Sequence, residues 1–119
     1  MYRWNTKRIV ELLESVEEIE KVEVQMPGGD CDSEQIVCKV RGEDEHIFIC
    51  GFCTEDNDPI WTMPYEEKGD VDVEMVEITD NSGHGLQSDS FQTATAYIKA
   101  RQILVGGGAT VVDHLKDYF

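Results

Sequence analysis

Glu34-Gln35-Ile36-Val37-Cys38-Lys39-Val40-Arg41 and His46-Ile47-Phe48-Ile49-Cys50-Gly51-Phe52-Cys53 are two extended runs separated by Gly42-Glu43-Asp44-Glu45. Successive side chains of a strand point to opposite faces, so the first run sets Ile36, Cys38 and Val40 together. The second sets Phe48, Cys50 and Phe52 together. Pairing those faces puts Cys38 opposite Cys50, Val40 opposite Phe48 and Ile36 opposite Phe52. The polar, glycine-containing spacer closes a β-hairpin. A sheet centred on this hairpin is the expected core.

On its N-terminal side, residues 22–26 alternate as a strand, and Pro27-Gly28-Gly29-Asp30 turns the chain because neither Pro nor paired Gly continues a ladder. On its C-terminal side, residues 54–59 form an acidic loop, and Ile60-Trp61-Thr62-Met63 reads as a short strand ended by Pro64. Residues 65–70 form a second acidic connection. Residues 71–79 alternate as a long strand with Asp72 and Glu74 on one face. The phase slips near Met75-Val76, which suggests a bulge. Asp80-Asn81-Ser82-Gly83-His84-Gly85 is a loop.

Three helices flank these strands in the sequence. Asn5 or Thr6 caps the first, which runs to about Ile19 on a stripe of Ile9, Leu12, Leu13, Val16 and Ile19. Ser88 or Asp89 caps a second over residues 90–105. It is apolar nearly all round and so is expected to be heavily buried. Gly106-Gly107-Gly108 ends it, and Thr110 with Asp113 resembles a capping box for a short third helix carrying Val111, Val112, Leu115, Tyr118 and Phe119. The expected fold is one α+β domain over residues 1–119. It has an antiparallel sheet of four to five strands, with the N-terminal helix and two C-terminal helices packed mainly on one face.

The chain of 119 residues carries 25 acidic and 10 basic side chains, a formal net charge of -15. Residues 81–119 hold three of each sign, so the whole imbalance lies in the first eighty residues. Phosphate backbones are bound by Lys and Arg that displace counterions, which argues against direct nucleic-acid binding. An anionic membrane surface is disfavoured for the same reason, and a basic partner is the natural complement. No apolar run reaches membrane-spanning length, and the Glu-studded sequence after residues 1–8 does not read as a signal peptide. A cytoplasmic location with reduced thiols is expected.

Cys50-Gly51-Phe52-Cys53 has the spacing of half a zinc site, with Cys31 and Cys38 as further thiolates. The gap between Cys31 and Cys38 is too long for the other half, and Cys50 and Cys53 fall on opposite strand faces. Buried core thiols are the expectation for Cys38 and Cys50, with no metal and no cofactor. His84, between Gly83 and Gly85 and close to Asp80, is the one candidate for acid–base work. His46 and His114 carry no such signal. The Gly106–Gly108 run lacks the Lys and the preceding strand of a phosphate loop. Asp56-Asn57-Asp58 lacks the Gly and Glu of a calcium loop.

Composition therefore points to a small protein-binding inhibitor that occludes the basic, nucleic-acid-binding surface of a partner. Phage anti-defence proteins such as anti-CRISPR inhibitors, and toxin-immunity proteins, share this physical type. Carboxylates of Glu11, Glu14, Glu18, Glu55, Asp56, Asp58, Asp72 and Glu74 would imitate a phosphate array. Two alternatives belong to other classes: a small enzyme using His84 with Asp80 or a cysteine, and a structural subunit dimerising through its C-terminal helices.

Overall fold

The computed structural model describes residues 2–25, 35–52 and 71–112. In chain order these form β1 (Tyr2–Trp4), α1 (Thr6–Glu14), β2 (Ile19–Gln25), β3 (Gln35–Val40), β4 (His46–Phe52), β5 (Val71–Val73), β6 (Met75–Thr79), α2 (Phe91–Gly106) and β7 (Val111–Val112). A five-stranded sheet has the order β2-β3-β4-β6-β7, and β1 pairs with β5 in a separate antiparallel ribbon. The turn at Pro27-Gly28-Gly29-Asp30, the acidic loops, the strand at Ile60–Met63, Cys31, Cys53 and His114 lie outside the described residues.

The hairpin forms, but in a different register. Cys38 pairs with Ile47, Val37 with Phe48 and Ile36 with Ile49. Ile36, Cys38 and Val40 therefore share the buried face with Ile47 and Ile49, all of them fully buried. Phe48, Cys50 and Phe52 lie half-buried on the opposite face. The turn selects this register. Val40 N–H donates to the Glu45 carbonyl at 3.0 Å, and Gly42 adopts a φ of 78°, a left-handed conformation costly for any residue with a Cβ. Hydrophobicity alone could not choose, because residues 47–50 are all apolar.

Two helices are present among the described residues, where three were expected, and the sheet is mixed. Thr110-Val111-Val112 is a β-branched run, stiff at χ1 and suited to an extended chain. Val111 and Val112 pair in parallel with Val76 and Glu77, and Val76 N–H reaches the Thr110 carbonyl at 2.9 Å. The β6–α2–β7 segment is thus the helical crossover that parallel pairing requires. The strand expected over residues 71–79 is broken at Glu74. Its first part joins β1 and its second joins the main sheet, which accounts for the phase slip near Met75.

Helix α1 stops at Glu14, short of Ile19. Asn5 caps its start, accepting from Arg8 N–H at 3.0 Å. The Ser15 hydroxyl donates back to the Leu12 carbonyl at 2.5 Å, and Glu17, Glu18 and Glu20 would oppose the helix dipole if the helix continued. Val16 and Ile19 still reach the core, through a turn and the first residue of β2. Helix α2 is capped by Ser90 and buries one stripe, Thr93, Ala96, Tyr97, Ala100 and Leu104. It is not buried all round: Phe91 is 86% exposed. Small Ala96 and Ala100 let the backbone lie close to the sheet, and the Tyr97 hydroxyl donates to the Ile78 carbonyl at 2.8 Å.

Both helices pack on the inner face of the sheet, where Ile9, Leu13, Ile36, Val40, Ile47, Ile49, Val76, Ile78 and Leu104 form one core with Tyr2 and Trp4. Trp4 satisfies its buried indole N–H on the Thr6 hydroxyl at 2.7 Å. No helix of the described residues is long and apolar enough to cross a membrane.

Candidate acidic interface

Antiparallel pairing fixes which connections share an end of the sheet. Gln25 pairs with Gln35, and Phe52 pairs with Met75. The chain therefore leaves β2, enters β3, leaves β4 and enters β6 at one end. Glu74 N–H donates to the Phe52 carbonyl there at 2.9 Å, holding the β5–β6 junction against the tip of β4. Residues 26–34 carry Asp30, Asp32 and Glu34 with no base. Residues 53–70 carry Glu55, Asp56, Asp58, Glu66, Glu67 and Asp70 against Lys68. Eight of the fifteen net negative charges thus belong to two connections that leave the main sheet from the same end, the first returning to it at β3 and the second continuing into β5. Asp72 and Glu74, both exposed, follow directly on the second of them. Arg3 meets Asp72 at 3.3 Å on the β1–β5 ribbon, and Glu74 makes no ion pair with a described residue.

The far end of the sheet also has acidic sequence; there Glu18, Glu43 and Glu45 are bonded internally, while Glu17, Asp44 and Asp89 are exposed. Glu45 accepts from the Ser88 hydroxyl at 2.8 and 2.9 Å and from Thr93, whose side chain is fully buried. Glu43 accepts from the Ser90 hydroxyl at 2.9 Å. These two hairpin residues place negative charge at the N-terminus of α2, where the helix dipole favours it. Lys99 of α2 donates to both oxygens of Glu18 at 2.8 and 3.0 Å. The hydrogen bond from the Lys99 ammonium holds the Glu18 carboxyl below its ordinary range. Arg41 closes the α1–β2 turn by donating to the carbonyls of Glu17 at 2.8 Å and Ile19 at 3.2 Å.

The residues singled out from sequence are thus distributed. Glu11 and Glu14 project from the exposed side of α1, with no ion pair to a described residue. Glu18 lies beyond the helix end and is turned onto Lys99. Asp72 and Glu74 sit at the end bearing the acidic connections. Glu55, Asp56 and Asp58 lie outside the described residues. Asp30, Asp32 and Glu34 escaped the sequence reading. Hairpin connectivity was the signal that could have shown that the chain leaves β2 for these residues at the same end of the sheet at which it leaves β4.

The remaining candidates have structural roles. Asp80 is buried despite its charge. Its Oδ1 accepts from Ser82 N–H at 2.8 Å and the Ser82 hydroxyl at 2.5 Å, and its Oδ2 from the N–H groups of Gln87 at 2.7 Å and Ser88 at 2.8 Å. Burial raises its pKa, but these four donors outweigh burial and hold the carboxyl below its usual value. Asp80 is therefore the knot of the loop leading to α2. His84 is exposed, and its backbone, not its imidazole, makes the loop's bonds, to the Ser82 hydroxyl and the Gln87 side chain.

Cys38 and Cys50 do not face one another. Cys38 is on the inner face opposite Ile47, and Cys50 on the outer face opposite Glu77. Burial pushes the Cys38 thiol up to about 12, so it is an unreactive core group. Among the described residues no three His, Cys, Asp or Glu side chains are grouped to hold a metal ion. A groove of about 530 Å³ between the α1–β2 turn and α2 is lined by Ser15, Val16, Glu17, Lys99, Gln102 and Ile103, and neither His84 nor a cysteine lines it. No family model matches this chain, and no curated protein or solved structure shows significant similarity to it.

Proposed function

We propose that the protein is a binding inhibitor that occludes a basic, nucleic-acid-binding surface of a partner protein, as anti-CRISPR and toxin-immunity proteins of similar composition do. The observation that carries this reading is the polarity of the sheet. Its two most acidic connections leave from one end, while at the other end Glu18, Glu43 and Glu45 are spent on Lys, Ser and Thr partners. A partner presenting Lys and Arg would meet that end with charge-steered association. Neither His84 nor a cysteine acts in this mechanism.

Capture from nuclease-treated lysate at low and raised salt, followed by a nucleic-acid-binding assay on the captured protein, tests the proposal. The expected result is a basic partner that is retained at low salt, is released at raised salt, and loses nucleic-acid binding at low salt as the inhibitor is added. Retention of no basic protein, or a captured partner whose nucleic-acid binding is untouched, rejects it.

A further inference from the structure

Among the described residues, β2 is the seven-residue outer strand of the main sheet, and the opposite edge, β7, shows two residues. Along β3, Arg41 N–H donates to Glu18 at 2.8 Å on the β2 side, and Val40 N–H donates to Glu45 at 3.0 Å on the β4 side. Antiparallel alternation then turns Lys39, Val37 and Gln35 toward their partners Lys21, Glu23 and Gln25. The backbone groups of Val22 and Val24 consequently face away from β3, along an edge that no other described strand covers. Their side chains are only half-buried, at the margin of the inner face.

The order of side chains along this edge is self-complementary. Lys21 and Glu23 flank Val22 on the outer face and meet within one chain at 2.7 Å. A two-fold axis through Val22 sets each Lys21 opposite Glu23 of a second copy, Val22 opposite Val22, and Glu20 opposite Val24. From this we infer that β2 is a docking edge for a second copy of the chain, the two β2 strands pairing antiparallel about Val22. Opposite-charge cross-strand pairs favour that register over neighbouring ones. The contact is narrow, and each copy carries a net charge of -15. Screening therefore strengthens this association, the reverse of the salt dependence proposed for the basic partner.

Sedimentation velocity over a wide concentration range, at low and raised salt, tests this. The wild-type chain is expected to dimerise, more tightly at raised salt. Val22→Pro removes an amide that faces this edge, which an edge strand tolerates, and should abolish dimers while leaving the circular dichroism spectrum intact. Lys21→Glu and Glu23→Lys each place like charges opposite one another and should weaken self-association by about tenfold or more. Mixing these two single variants restores both cross-strand pairs and should yield the heterodimer, which a role confined to one chain's ion pair does not predict. A wild-type chain that stays monomeric throughout, dimers that survive Val22→Pro, or a mixture that fails to associate each overturns the inference.

Discussion

Asp80 shows most clearly how one residue of this chain does structural work that its sequence context does not announce. Between turn residues and two residues before Ser82 it resembles an ordinary loop carboxylate. Only the folded loop brings the N–H groups of Gln87 and Ser88 onto its second oxygen. Its folded pKa is lowered, so it contributes stability above the unfolded carboxylate pKa, and that contribution is lost as pH falls through the folded value. Asp80→Asn keeps the shape but exchanges a charged acceptor for an amide. It should cost about 1–3 kcal/mol at neutral pH, and much less below the carboxylate range. Urea unfolding of both proteins across the acid limb measures this. A constant difference at all pH values would show that the charge of Asp80 does not matter. His84 illustrates the converse: Gly83 and Gly85 beside it were visible in sequence, but they serve the turn around Asp80, with φ values of 78° and 77°.

At the scale of elements, the strands near the hairpin were legible and the pairing was not. Residues 35–40 and 46–52 alternate well enough to be strands whatever their partners. Register depended on where Gly42 takes a positive φ, which apolar periodicity does not encode. The observed register makes a direct prediction. Ile49→Ala removes a fully buried side chain and should destabilise by about 2–5 kcal/mol, whereas Phe48→Ala, on the half-buried outer face, should cost less. Equilibrium unfolding of the two variants checks it, and the opposite ranking would restore the register expected from the hydrophobic pattern. The misread C-terminus has the same origin. Thr110 and Asp113 satisfy a capping pattern locally, but Val111 and Val112 gain a ladder beside β6 that only the folded sheet offers. Likewise the three- and four-residue spacing of Val16 and Ile19 continued that of α1, although a turn, not a helix, delivers them to the core.

At the scale of the whole molecule, net charge was legible from composition, and its direction became visible only with topology. The sequence shows that residues 81–119 are neutral. It does not show that the hairpin's Glu43 and Glu45 are consumed at the start of α2, or that the chain leaves β2 and β4 for its two acidic connections at the same end of the sheet. In the proposed mechanism this end, rather than the overall charge, meets the partner. Affinity for the captured basic partner, measured for two triple variants of equal net charge, tests this most directly. One variant carries Asp30→Asn, Asp32→Asn and Glu34→Gln in the connection between β2 and β3, and the other Glu17→Gln, Asp44→Asn and Asp89→Asn, three exposed acids of the far end. The first variant is expected to bind much more weakly with a shallower salt dependence, while the second binds nearly as the wild type does. Equal losses in the two variants would contradict the mechanism, and would leave the acidity of this chain as a general property of its surface.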